Sequence, residues 1–417
     1  VNYDFDFMQL VSITDYKKFT RVVGLDSDQT ASPELIFQSD GDIDQISQEF
    51  RFSGESDSLS WVSGLYYLGI DTDYIQGLAA SPSAGFLAGE EVNTLADIST
   101  DSLSLFGQID YYLSDSLILV AGARVIKENK SLDGLVFSNA NTNDRVIEVD
   151  LNGVLFEEAY LDNDQNLWSA KIQLDYSPNT DTLYYAGINR GVKAGSFNAP
   201  LFGGFSRYKP EVLVSYEAGT KHTLNEGMVQ INGSLFHYDY SDYQSFSWVN
   251  NAGVVFNEQA NFTGAEVEIF LNAGEGLDIM FGMSYVDAKV ENLEVASGVF
   301  KDTTPPYTPK LQASGLIRYN WDIQSGNVAV QVSGSYQSHT FHNARNFTAH
   351  RIDSHFKADA NLAWTDNEDK WSVFAYVDNL TDSDHALIGF DVTGFYGTTQ
   401  ISYAKPRTVG LTVKRNF

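Results

Sequence analysis

Apolar and polar residues alternate with a period of two along most of the chain. At 327–336, Val328, Val330, Val332 and Tyr336 share one parity, and Ala329, Gln331, Ser333 and Ser335 the other. At 168–176, Trp168, Ala170, Ile172, Leu174 and Tyr176 oppose Ser169, Lys171, Gln173 and Asp175. Ala265, Val267, Ile269 and Leu271 are set against Glu266 and Glu268, and Leu103, Leu105, Ile109 and Tyr111 against Ser104, Gln108 and Asp110. A period of two puts the two sets on opposite faces of a β-strand. No stretch sustains the 3.6-residue period of an amphipathic helix. The strands so predicted run about ten to thirteen residues, against about five or six in soluble proteins and roughly nine to eleven for a tilted membrane strand.

The connections alternate between short and long. Short ones, rich in Gly, Asp, Asn or Ser, fall at 54–58, 113–116, 177–181, 223–227, 272–276, 322–326 and 365–369, the composition that tight hairpins require. Long polar stretches lie between them at 17–42, 71–100, 128–164, 194–209, 241–259, 290–309, 338–354 and 381–403. This is the rhythm of an all-β fold, a transmembrane antiparallel β-barrel with short turns at one end and long loops at the other. About sixteen strands are expected, with the apolar parity toward lipid and the polar parity toward the lumen. Tyr66, Tyr67, Tyr111, Tyr112, Tyr184, Tyr185, Tyr238 and Tyr240 sit near predicted strand ends, where aromatic girdles would meet the two interfaces.

Composition narrows the function. With 26 basic against 55 acidic residues the net charge is -29, which excludes a nucleic-acid partner, whose phosphates need a basic surface. There is no cysteine, so disulfides and thiolate metal sites are excluded. No apolar run reaches the roughly 18 residues of a membrane helix. No G-x-S-x-G, H-E-x-x-H, P-loop or G-x-G-x-x-G pattern occurs, and no enzyme is expected.

Several segments carry a family resemblance. LVSITDY at 10–16, SQEFRFSGE at 47–55 with WVSGLYYL at 61–68, LYYAGINRGVKAGSFN at 183–198, YKPEVLVSYEAGTK at 208–221, YVDNLTD at 376–382 and AKPRTVGLTV at 404–413 resemble, in order, the barrel segments of TonB-dependent receptors grouped with siderophore uptake. The resemblance implies one barrel unit over 1–417, part of about 22 strands, with a plug, a TonB box and about six strands upstream. It also implies a bacterial outer-membrane location. The implied partners are outer-membrane lipid and lipopolysaccharide, a TonB-type energy-transducing complex acting through the plug, and a ferric siderophore or similar small ligand. Val409, Leu411, Val413 and Phe417 share one parity of the last strand and resemble the signal read by the barrel assembly machinery.

Candidate ligand residues are sought in the outer loops. His339, His342, His350 and His355 fall together with Arg345 and Arg351; imidazoles could ligate a metal, and with the arginines could hold an anionic chelate, or the segment is a solvated loop. Tyr243, Phe246 and Trp248, with Phe256, form an aromatic loop that could stack on a ligand or pack over the mouth. No cofactor is expected, but Asp40, Asp42 and Asp44, and Asp162, Asp164 and Asn166, have the oxygen spacing of a loop calcium site. The expected function is active uptake of a scarce ligand, with a ferric siderophore as the expected cargo. The alternatives are a passive sixteen-stranded porin and a surface ligand-binding barrel without transport.

Overall fold

The computed structural model describes residues 1–27, 35–80, 90–140, 154–201, 203–249, 252–392 and 398–416, and these are almost entirely β-strand. The first half comprises β1 (Asn2–Asp4), β2 (Gln9–Asp26), β3 (Leu35–Ser56), β4 (Leu59–Ala80), β5 (Glu90–Ser114), β6 (Leu117–Ala140), β7 (Val154–Asn179), β8 (Thr182–Lys193), β9 (Ser196–Asn198), β10 (Ser206–Tyr208), β11 (Glu211–Leu224) and β12 (Val229–Val249). The second comprises β13 (Ala252–Asn272), β14 (Leu277–Ala296), β15 (Val299–Thr303), β16 (Leu311–Ile323), β17 (Gly326–Gln337), β18 (Thr340–Phe341), β19 (Arg351–Ile352), β20 (His355–Asp366), β21 (Trp371–Asp378), β22 (Ala386–Val392), β23 (Thr398–Tyr403) and β24 (Thr408–Arg415).

Sixteen long strands, β2–β8, β11–β14, β16, β17, β20, β21 and β24, form one meander in which each is antiparallel to the one before. The small strands are additions at the loop end, save β1, which pairs with the start of β2. Among the described residues β24 pairs only with β21, and beyond Val11 β2 pairs only with β3. The sheet therefore has two unpaired edges.

Alternation sorts the faces as expected. Phe50, Leu65, Leu105, Val125 and Trp168 are successive cross-strand partners, and all five are exposed. Ile172, Leu174, Tyr176, Ile188 and Tyr216 carry the same apolar band onward. Such a band is stable only against hydrocarbon. The opposite face is polar: Arg51, Arg124 and Lys171 share a recess of about 720 Å³ on one side of the lumen, and Glu266 and Glu268 share one of about 310 Å³ on another.

Strand length departs from expectation. β3 to β7 contain 22, 22, 25, 24 and 26 residues. The stretches 17–42, 71–100, 128–164 and 241–259, expected as loops, are largely continuous ladder, with Arg21 opposite Gly41, Tyr74 opposite Ala96 and Asp133 opposite Tyr160. Loss of apolar character along a strand marks where lipid ends. It does not mark where backbone pairing ends, because a ladder is equally stable with polar side chains in water. The acidic sets at 40–44 and 162–166 are accordingly strand positions, not loops. Asp44 accepts hydrogen bonds from the Tyr16 hydroxyl at 2.7 Å and the Lys18 ammonium at 3.2 Å, and Asp42 accepts from Thr20 at 2.5 Å. Register also sets Asp42, Asp73, Asp97 and Asp133 directly opposite one another across four strands. Among the described residues no group of three or more His, Asp or Glu is arranged to hold a metal ion.

Two outcomes follow from this geometry. Leu105→Arg should lower stability in lipid vesicles by about 2–4 kcal/mol, whereas Gln312→Arg in the lumen should change it by no more than about 0.5 kcal/mol; denaturant titration of both variants reads the difference. Like charges directly opposite each other destabilise a sheet, so Asp97→Asn should raise stability by roughly 0.2–1 kcal/mol at low ionic strength and less at high.

Candidate functional site at the loop end of the barrel

The segment after β8 turns inward instead of projecting outward. The Gly195 N–H donates to Gln165 Oε1 at 2.8 Å, and the Gly195 carbonyl accepts from Gln165 Nε2 at 3.1 Å and Lys130 Nζ at 3.0 Å. Lys130 is itself ion-paired to Glu128 at 3.0 Å. A Cβ at Gly195 would strike the Tyr208 carbonyl oxygen, so no other residue fits. Asn198 Oδ1 accepts from the Val255 N–H at 2.9 Å, the Ala199 carbonyl accepts from Gln76 at 2.7 Å, and the Pro200 carbonyl accepts from Thr94 at 3.1 Å. Phe197 is buried with Ala96 and Leu132. The RGVKAGSFN stretch is thus a strap pinned across the inner wall by its own backbone.

The strap closes one side of a cavity of about 490 Å³. Its wall is the lumenal parity of β2, β3 and β4, including Arg21, Phe37, Tyr74 and Leu78. Phe246 of β12 and Phe390 with Asp391 of β22 complete it. A cavity of this size, mostly apolar with a few polar groups, has the character of a small-molecule site.

Asp391 joins this cavity to the histidine segment. The segment folds as the β18–β19 hairpin around a 3-10 turn at Thr348–His350. The His342 N–H donates to the His350 carbonyl at 2.9 Å, and the two rings lie 5.0 Å apart between centroids. His350 is fully buried, with Nε2 2.9 Å from Asp391 Oδ2; the Asp391 side chain is 1% exposed and also bound by the Arg345 guanidinium. Gly389 admits the His342 ring, which a Cβ there would overlap. Burial, then His342 and Arg345, push the His350 pKa down to about 4, and burial likewise lowers that of His342.

The structure separates the residues singled out from the sequence. Arg345 and His350 hold the hairpin onto Asp391, and His342 packs its ring against Gly389 beside them. His339 stands edge-on to Phe341 at 6.2 Å, and Arg351 pairs with Asp353 at 2.8 Å. His355 is not in the loop but opens β20, stacked on His385 at 3.8 Å between centroids. The four histidines do not converge on one point. Tyr243 packs on Tyr240 and Phe262 against a core of Val290 and Leu293. Phe246 is 52% exposed and faces the cavity. The Trp248 side chain and Phe417 lie outside the described residues. Val409, Leu411 and Val413 are highly exposed along the outer edge of β24. Sequence reasoning missed Arg21, Phe37, Tyr74, Leu78, Phe390 and Asp391. The signal for Phe37, Tyr74 and Leu78 was the period of two running on through 37–43 and 72–78, within or beside stretches expected as loops.

Fold and site together define a membrane-type β-barrel sheet: a strand meander with an apolar outer band, a polar lumen and a ligand-sized cavity at its loop end. The chain belongs to the TonB dependent receptor-like, beta-barrel family, whose model matches residues 1–380. Among solved structures it is similar to the ferric yersiniabactin uptake receptor FyuA from Yersinia pestis, with TM-score 0.80, 16% identity, and coverage of 100% of this chain and 60% of that one. The siderophore receptor PiuA from Acinetobacter baumannii gives 0.72, 13%, 99% and 62%. The copper transporter OprC gives 0.69, 14%, 99% and 63%. At these identities the likeness is one of fold, and the chain spans about three fifths of the length of the receptors it matches.

The lowered pKa of His350 fixes a sign. Unfolded, the imidazole takes up its proton near its ordinary 6.5; folded, it stays neutral to about 4. Its stabilising contribution is complete above about 6.5 and is lost as pH falls toward about 4. Amide exchange in residues 340–352 should accelerate across that window, and His350→Gln should flatten the response.

Proposed function

We propose that this protein is a bacterial outer-membrane receptor that takes up a scarce ferric chelate, using TonB-derived energy. The observation that supports this most directly is the apolar cavity at the loop end, set above a lumen whose walls carry Arg51, Arg124 and Lys171 on one side and Glu266 and Glu268 on another. Charged walls of this kind suit a polar plug filling the lumen. The loop end is the outward one, so the ligand meets the cavity before the plug. The named uptake receptors among the similar folds are consistent with a siderophore as cargo. The exposed apolar band contacts lipid, lipopolysaccharide surrounds the polar strand extensions, and the outer edge of β24 is the part read by the assembly machinery.

A passive sixteen-stranded pore is a weaker account. It needs β24 hydrogen-bonded to β2, and among the described residues neither strand pairs with the other.

The test is accumulation of radio-iron from a ferric siderophore by cells expressing the gene and by a deletion strain. Deletion should cut uptake at limiting iron by about tenfold or more, and a protonophore should bring expressing cells down to the level of the deletion strain. Uptake that persists undiminished with the protonophore present would rule out energy coupling.

A further inference from the structure

The cavity at the loop end has a lining that discriminates among chelates. Four aromatic rings, those of Phe37, Tyr74, Phe246 and Phe390, surround it. Among the described residues its charged lining is limited to Arg21 and Asp391. Asp391 is already matched by Arg345 and His350, so the described lining presents a single net positive charge, that of Arg21. Among the described residues Arg21 has no ion-pair partner within salt-bridge distance. The amide of Gln76, another lining group, is committed to the Ala199 carbonyl at 2.7 Å.

On the outer face of the same wall stand Asp42, Asp73 and Asp97 in one cross-strand row, in a chain whose net charge is -29. A ligand approaching the mouth therefore meets a negative field, which slows polyanions. Inside, one guanidinium can neutralise one anionic group. A second or third negative charge buried there would lack a partner, and unpaired charge in an apolar site carries a large desolvation penalty. Aromatic rings against aromatic rings are favoured beyond simple area burial.

Resting on the uptake reading above, we infer that the cavity selects a compact ferric chelate with aromatic faces and no more than one net negative charge, and discriminates against polyanionic chelates. Ring stacking on Phe246 and Phe390 supplies the selectivity for aromatic bodies. Arg21 accommodates a single carboxylate, phenolate or sulfonate.

Three iron(III) complexes that share one hydroxamate core separate these factors. The tris-benzohydroxamate complex is neutral and aromatic, its para-sulfonated analogue has the same rings with three negative charges, and the tris-acetohydroxamate complex is neutral and aliphatic. Each is titrated into the detergent-extracted protein, with quenching of intrinsic tryptophan fluorescence as the readout. The neutral aromatic complex should bind at least about tenfold more tightly than either of the others. Phe246→Ala, at an exposed position that leaves folding intact, should weaken it by about tenfold and leave the aliphatic complex unchanged; Phe390→Ala should act in the same direction. Equal or tighter binding of the sulfonated complex, or no effect of both phenylalanine variants, overturns the inference while leaving the receptor reading in place. Absence of binding by all three, with energy-dependent iron accumulation still present, also overturns the inference alone. Absence of both binding and accumulation overturns the receptor reading with it.

Discussion

The structure depends on one constraint: a strand in hydrocarbon has no water to satisfy its N–H and C=O groups, so its neighbours must do so. Among the described residues the sixteen-strand meander meets this by pairing each long strand between β2 and β24 with the previous one and the next. Everything else is arranged on that ladder. Parity then decides which side chains see lipid and which see the lumen, because a slip of one residue would exchange the two sets. Leu65, Leu105, Val125 and Trp168 stay outside, and Arg51, Arg124 and Lys171 inside, because register is held from strand to strand.

The same logic explains how much of the molecule was legible from the sequence. Strand number, topology and facing were readable because lipid demands an uninterrupted apolar parity, as at 103–111 and 168–176. The upper ends of the strands were not, because beyond the apolar band the selective pressure on one parity vanishes while the ladder continues. Tyr74 and Leu78 still alternate with Asp73 and Gly77, but amid polar residues the pattern reads as loop. The cavity was hidden for the same reason, since its wall is built from those extensions.

The candidate ligand residues show a second limit. Arg345 and His350 are near in sequence and chemically suggestive, but their common partner, Asp391, lies about forty residues on in another hairpin, and only the fold reveals that they are engaged with it. Conversely, RGVKAGSFN carries family resemblance without titratable chemistry at its centre. Its importance is mechanical: Gly195 and Asn198 offer backbone and amide groups that fasten a strap over the wall. Similar fastening appears at Asn379, whose buried amide holds the turn after β21 through the Ser383 and Lys405 carbonyls.

The extension of β3 to β7 past the apolar band has a consequence for the space it borders. Paired strands of this length make a stiff collar, since bending it would break many hydrogen bonds at once. A collar does not flap, so this side of the cavity keeps its shape. The room beside it is then set by the strap and the hairpins that face it rather than by the wall itself.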